Sequence, residues 1–452
     1  MMIVNSIQIF EKFGLNIEGR SALSILLFVV ILWMTEAIPF SISGLLLILL
    51  IPAFGLTSFE ETIYLGFGNS IIPFFIGIMI MSAALSKSGF TNRATLLILN
   101  KVGLKTSHLV LVFLVTGAFL SMWVTNMGVA AILLPLATEI LENSNRKALD
   151  SNFGKALMIS IAWGCGIGGM GTPVGNGANV LAVGFLSKLA DININFIDWM
   201  KYGVPAMMLL LPVSWFILIK TFPLEVEELH MSKKYIENKL YNLGPLKSKE
   251  KKILLIYIVT IFLWLTSPLI KILYGISLPI QGIAVFAAIT IFLPYIEILE
   301  WREANEVVNW GAIVLIAGSL SLGEMLFKTG CAQWIAGTFL GGIGSFPTVI
   351  QLALLVTLVL IFKIGFASNT ASGLVIIPIV IVLAQEIGLD VWLLTGPATF
   401  AISLAFITVP SSPTNIIPYA AGYFSIKDFA FSGIPMSIAG VVILITIFYF
   451  LV

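Results

Sequence analysis

The most constraining feature of this chain is a pair of polar interruptions inside long apolar stretches. "FASNTASGLVIIPI" (366–379) carries Ser368, Asn369 and Thr370 in a row, and "VTNMGVAAILLPLA" (124–137) carries Thr125 and Asn126. The two share a layout, with Asn126 preceding Pro135 by the same spacing as Asn369 precedes Pro378. Unsatisfied polar groups are costly in hydrocarbon, so irregular polar backbone survives at membrane depth only where protein or a water-filled cavity surrounds it. The stretches 108–141 and 346–387 therefore predict two helical hairpins, each entering the membrane, turning at a polar tip and leaving on the side it came from.

The surroundings leave little room for a soluble fold. With 59% hydrophobic residues, 10% charged and a mean hydropathy of +1.05, the chain is far from soluble domains, in which about a quarter of residues are charged. Segments long enough to cross the bilayer run over 21–38, 39–56, 66–88, 156–190, 203–221, 251–270, 278–296, 310–327, 391–424 and 431–452. The pattern predicts an all-α multi-pass protein in lipid. Lys12 and Arg20 precede a full-length span, so no cleaved signal is expected, and no arginine is expected within a span. Cys165 and Cys331 lie in apolar stretches and read as packing residues. His108 and His230 have no neighbours at metal-ligand spacing, and no basic run with interleaved aromatics points to nucleic acid.

Two of the spans are interrupted as well, by "GTPVGNGAN" (171–179) and "VPSSPTN" (409–415). The first is not a nucleotide loop, since no strand precedes it and no P-loop lysine follows. The marks recur in order and at nearly constant separation: "LWMT" (32–35) as "LWLT" (263–266), Gly77, Lys87 and Gly89 as Gly318, Lys328 and Gly330, Asn126 and Pro135 as Asn369 and Pro378, and Asn179 as Asn415. This predicts a first repeat over 1–222, a cytoplasmic linker over 223–250 and a second repeat over 251–452, each with five membrane helices and one hairpin. If the segment after residue 88 faces the cytoplasm, most of the 24 Lys and Arg residues fall inside, as the positive-inside rule requires. Lys87 then faces in and Lys328 out, so the repeats are inverted, and the N-terminus falls on the outer face. The linker "FPLEVEELHMSKKYIENKLYNLGPLKSKEKK" reads as an amphipathic helix on the inner surface.

Inverted repeats with broken helices are a recurrent plan of secondary transporters, which hold substrate and coupling ions between the repeats. The helix that starts at a polar tip presents free N–H groups and a positive dipole end, suited to an anion. Hydroxyl and carbonyl oxygens of the same turn can dehydrate a small cation. Asparagine serves both, accepting through its oxygen and donating through its nitrogen. The bland reading, asparagine as interhelical glue, does not account for repetition in register. An enzyme is disfavoured by the lack of paired acids, metal-spaced histidines or a nucleophile with its base; a channel would be excluded by saturable, slow flux.

The hairpin tips, "MTEAIP" (34–39) after the first span and the breaks ending in Asn179 and Asn415 resemble the divalent anion/sodium symporter family of di- and tricarboxylate and sulfate transporters. The resemblance covers about residues 21–452. It implies a homodimer in the plasma membrane that moves substrate by an elevator motion, some members being sodium symporters and others dicarboxylate exchangers. It implies one Na+ site from Ser121, Thr125, Asn126 and the backbone at Gly175, and a second from Ala367, Asn369 and the backbone at Ser411. Substrate carboxylates would meet Asn126, Asn176, Asn369, Thr370, Ser412 and Pro413. The substrate expected is a small divalent organic anion of the C4-dicarboxylate type, coupled to sodium.

Two departures stand out. Met127 occupies a substrate-site position where the family has a threonine hydroxyl, which points to a smaller or less symmetric anion than a tricarboxylate. Lys363, five residues before Ser368, has two readings: its ammonium replaces a coupling ion, giving sodium-independent exchange, or its stem snorkels to the outer surface. Transport of sulfate or another anion is a further alternative. Glu36 and Glu324 are expected to pair or to serve helix ends.

Overall fold

A computed structural model describes residues 14–451 except 103–104, 145, 147 and 229–232. Among the described residues all regular structure is helical. By length and composition, seven helices among the described residues can cross a membrane: Ile17–Thr35, Ile71–Ser88, Phe196–Thr221, Ser248–Tyr274, Trp310–Lys328, Asn369–Ile387 and Ile426–Leu451. Shorter apolar helices lie among them. Ser248–Tyr274 exposes Leu255, Phe262, Leu265 and Leu269. Such a face is stable only in an apolar solvent.

Each interrupted stretch is two helices. The first hairpin region comprises Thr106–Ser121 and Asn126–Asn143, and the second comprises Thr348–Lys363 and Asn369–Ile387. The stretches expected to be broken spans each hold two helices, Asn152–Gly169 with Gly177–Ala190 and Val391–Ser403 with Pro413–Tyr419, the latter pair separated by a short 3-10 turn at Val409–Ser411. Both gaps begin and end earlier than the expected 171–179 and 409–415, running over 170–176 and 404–412. Asn176 ends the first by accepting from Ala178 N at 3.1 Å, and Pro413 ends the second by occupying the first helical position, where its missing N–H costs nothing.

The breaks are held by side chains. Asn179 Nδ2 donates to Gly169 O and Thr172 O, both at 2.8 Å. Asn415 Nδ2 donates to Ala405 O at 2.8 Å and Thr408 O at 3.5 Å. Each amide satisfies carbonyls at the end of one helix or in the gap after it from inside the next, and unpaired backbone groups at membrane depth are costly. Thr172 Oγ1 also donates to Met122 O at 2.6 Å, tying the first break to the first tip.

Small residues bring the helices close. A Cβ on Gly168 would lie 2.1 Å from Ala118 O, and one on Gly318 would lie 2.3 Å from Gly44 O. Asn152–Gly169 therefore packs backbone to backbone against Thr106–Ser121, and Trp310–Lys328 against Phe40–Ala53, the route by which membrane helices gain contact area without hydrophobic drive. Cys165 and Cys331 are buried and unpaired with each other, in keeping with packing roles.

Three expectations need correction. Helix Ile17–Thr35 starts before the expected span because Asn16 caps it, accepting from Gly19 N at 2.6 Å. It therefore includes Arg20, which is buried, so the spans are not free of arginine. In the connecting segment only Lys233–Asn242 is helical before Ser248 among the described residues, and His230 lies outside them. The end of that segment is fastened by Arg93, whose guanidinium meets Glu250 at 2.8 and 3.0 Å and also the carbonyls of Leu243, Gly244 and Pro245. Glu324 does pair as expected, with Lys188 and Lys328, both at 3.6 Å.

Candidate anion and cation site between the helix breaks

Four helices begin around one cavity of about 540 Å³. Asn126 and Asn369 are each the first residue of their helix, preceded by Thr125 and Ser368 as caps. Asn176 caps Gly177–Ala190, and Ser412 precedes Pro413–Tyr419. All seven expected substrate contacts line this cavity: Asn126, Met127, Asn176, Asn369, Thr370, Ser412 and Pro413. Of the expected sodium ligands, Thr125, Asn126, Gly175, Ala367 and Asn369 line it, whereas Ser121 and Ser411 are buried behind it. Sequence positions more than two hundred residues apart thus meet at one place.

Direct contacts fix this convergence. Thr125 N donates to Ser82 Oγ at 3.0 Å, seating the first tip on Ile71–Ser88. Asn176 Nδ2 donates to Ser403 Oγ at 3.0 Å, joining the start of Gly177–Ala190 to the end of Val391–Ser403. Thr370 of the second tip packs against the first break at Gly177, where a Cβ would lie only 2.4 Å from Thr370 Oγ1. A larger residue there would push the Thr370 hydroxyl aside.

At the first tip, one atom of the Asn126 carboxamide lies 3.1 Å from Gly175 O and 3.3 Å from Cys165 O. Which atom it is depends on how the amide is turned. With nitrogen there, Asn126 donates to both carbonyls. With oxygen there, it stands from each of two carbonyl oxygens at about the 3.4 Å that separates neighbouring ligands of a hard cation bound at about 2.4 Å. Ser121 Oγ, fully buried beside the Cys165 thiol, is a further oxygen at the same tip.

The second tip is built differently. Lys363 ends helix Thr348–Lys363 and is 1% exposed. Its ammonium donates to Phe366 O at 3.1 Å and to Ser411 O. The snorkelling reading is therefore wrong: the chain turns inward because the helix end and the break offer carbonyls that lipid does not. Asn369 Oδ1 is buried without a donor.

Sequence reasoning missed part of the lining. Glu36, Ser41 and Asn309 also face the cavity. Glu36 closes helix Ile17–Thr35 in a left-handed conformation, φ 50°, and is the one ionisable side chain among the lining residues. "MTEAIP" marked this turn, but periodicity carries no sign of which helix end will face a distant tip.

The comparisons with known proteins agree with this architecture. Residues 3–451 match the sodium:sulfate symporter transmembrane region. The chain is 30% identical over 469 residues to the sodium-dependent dicarboxylate transporter SdcS of Staphylococcus saprophyticus, covering all of this chain and 90% of that one. It is 28% identical over 468 residues to SdcS of Staphylococcus aureus, covering 100% and 89%. Among solved structures, the YdaH transporter of Alcanivorax borkumensis is similar with a TM-score of 0.61 at 14% identity, covering 86% of this chain and 87% of that one. MtrF of Neisseria gonorrhoeae gives 0.63 at 14% identity, with 95% and 94% covered. A polytopic helical chain, matched along nearly its whole length, is thus a membrane transporter and not an enzyme: it belongs to the sodium:sulfate symporter family.

Proposed function

We propose that this protein is a secondary active transporter of small divalent organic anions of the C4-dicarboxylate type, coupled to sodium. One observation carries the reading: the cavity receives three long-helix N-termini and a set of amide and hydroxyl groups, yet no lysine, arginine or histidine lines it. N–H groups and dipoles can orient carboxylates, but two negative charges in a site bordered by Glu36 need mobile cations. The dicarboxylate specificity and sodium dependence named for the SdcS relatives support this choice.

In this reading Asn369, Thr370, Asn176 and Ser412 hold one carboxylate, Asn126 contacts the other, and Pro413 and Met127 form apolar wall. Sodium binds at the first tip through Ser121, Thr125, Asn126 and Gly175. It turns the Asn126 oxygen toward the ion, and the nitrogen then faces the cavity as a donor. Without sodium the nitrogen is spent on Gly175 O and Cys165 O, and the oxygen repels the anion. Ion and substrate are thereby coupled through one side chain.

The halves 1–222 and 251–452, joined by 223–250, act as inverted repeats with re-entrant hairpins. The matching hydrogen bonds of Asn179 and Asn415 support that relation. Transport proceeds by an elevator motion of the hairpins and broken spans in a plasma-membrane homodimer. Sulfate or another anion is the alternative cargo. The test is uptake of radiolabelled succinate, malate, citrate and sulfate by proteoliposomes, each with an inward sodium gradient and with choline. Sodium-driven, saturable succinate or malate uptake is expected; sulfate uptake alone would overturn the dicarboxylate assignment.

A further inference from the structure

The two tips, equivalent in layout, treat cations differently. Aligning Asn126 with Asn369 places Ser121 opposite Ile364 and Leu120 opposite Lys363. The first tip has a buried hydroxyl, Ser121, preceded by a leucine. At the second, a lysine precedes an isoleucine that is 42% exposed. Likewise Gly175 O faces the Asn126 carboxamide, whereas Ser411 O accepts from the Lys363 ammonium.

The second set of expected sodium ligands therefore does not fit sodium. Its break carbonyl is already taken by a cation that belongs to the chain. Phe366 O is taken as well, and no hydroxyl replaces them on the arm. Two acceptors are filled, and Asn369 Oδ1 is left buried without a donor.

We propose that Lys363 is a tethered counter-ion which permanently fills the second cation site, so that transport couples to the sodium of the first tip alone. This rests on the dicarboxylate-transport reading above. A covalently held charge has one consequence that a bound ion lacks: it cannot leave with the substrate. After release, the empty carrier retains a buried positive charge whose partner has gone, and moving an uncompensated charge past lipid is costly. The return step then favours a carrier reloaded with anion. Exchange of external for internal dicarboxylate is faster than net uptake, and sodium still raises affinity on both sides.

The experiment uses full-length protein in proteoliposomes, with succinate as probe. Uptake is measured against external sodium, with and without internal succinate. For the wild type, a Hill coefficient for sodium of about 1 is expected, since the coefficient cannot exceed the number of sites, with uptake stimulated several-fold by internal succinate. The double variant Lys363→Leu/Ile364→Ser copies the first tip into the second. It is expected to raise the coefficient toward about 2 and to abolish the stimulation, while Lys363→Arg behaves as wild type. A wild-type coefficient near 2 would overturn the proposal even if the double variant failed to fold, as would unchanged exchange preference in a folded one. Absence of any succinate uptake by the wild type would instead count against the dicarboxylate reading.

Discussion

Asn179 and Asn415 make the same two hydrogen bonds in the same register. Each side-chain nitrogen donates to the carbonyl ten residues earlier and to the one seven residues earlier, Gly169 and Thr172 for the first, Ala405 and Thr408 for the second. Both residues are buried. The breaks are built features with a common stitch, and the helix starts around the cavity depend on it.

Replacing Asn179 by Leu should destabilise the protein by about 2–4 kcal/mol, because two buried carbonyls lose their donor. Asn415→Leu should cost less, since its second bond is long. Thermal unfolding of the purified proteins in detergent checks the order; equal and negligible losses would show that water replaces the amide.

Asn126→Ala and Asn369→Ala should each abolish stabilisation by dicarboxylate, but only Asn126→Ala should also abolish sodium's effect on the melting temperature. Ligand stabilisation follows concentration over dissociation constant, so titrations of sodium alone and of succinate in sodium separate the two losses.

Met127 is 50% exposed and lies at the first tip where the second has Thr370. Met127→Thr should add a donor for the distal carboxylate, worth about 1 kcal/mol or roughly five-fold in half-saturating concentration. The measure is succinate uptake under saturating sodium; weaker binding would mean that the methionine makes apolar contact the substrate needs.

Glu36→Gln should strengthen anion binding, because it removes a like charge from the cavity wall while keeping shape and left-handed backbone. The gain should be a few-fold at low ionic strength and shrink as salt screens it. Half-saturating succinate concentrations, measured at fixed sodium with choline chloride varied, provide the check.

Arg93 and Glu250 form a two-armed pair that is nearly inaccessible, with side-chain exposures of 8% and 3%. Removing either partner strands a buried charge, so Arg93→Met or Glu250→Gln should cost about 3–5 kcal/mol. Arg93→Lys should rescue little, because one ammonium cannot reach a carboxylate and three carbonyls together. Thermal unfolding and limited proteolysis across 223–250 report the loss.

The amino-acid sequence by itself determined the class and the places where helices stop. Apolar length demanded lipid, and polar residues at Asn126, Asn369, Asn176 and Ser412 could be tolerated only at helix ends, because hydrocarbon punishes an unpaired backbone group wherever it occurs. Those requirements are local, so they are legible along the chain. Which ends meet is not local. Whether Lys363 runs out to solvent or in to Ser411, whether Glu36 merely ends a helix or borders the cavity, and where Arg93 finds five oxygen partners all depend on residues far away in the chain. A long side chain goes where acceptors lie, and only the packing of distant helices decides that.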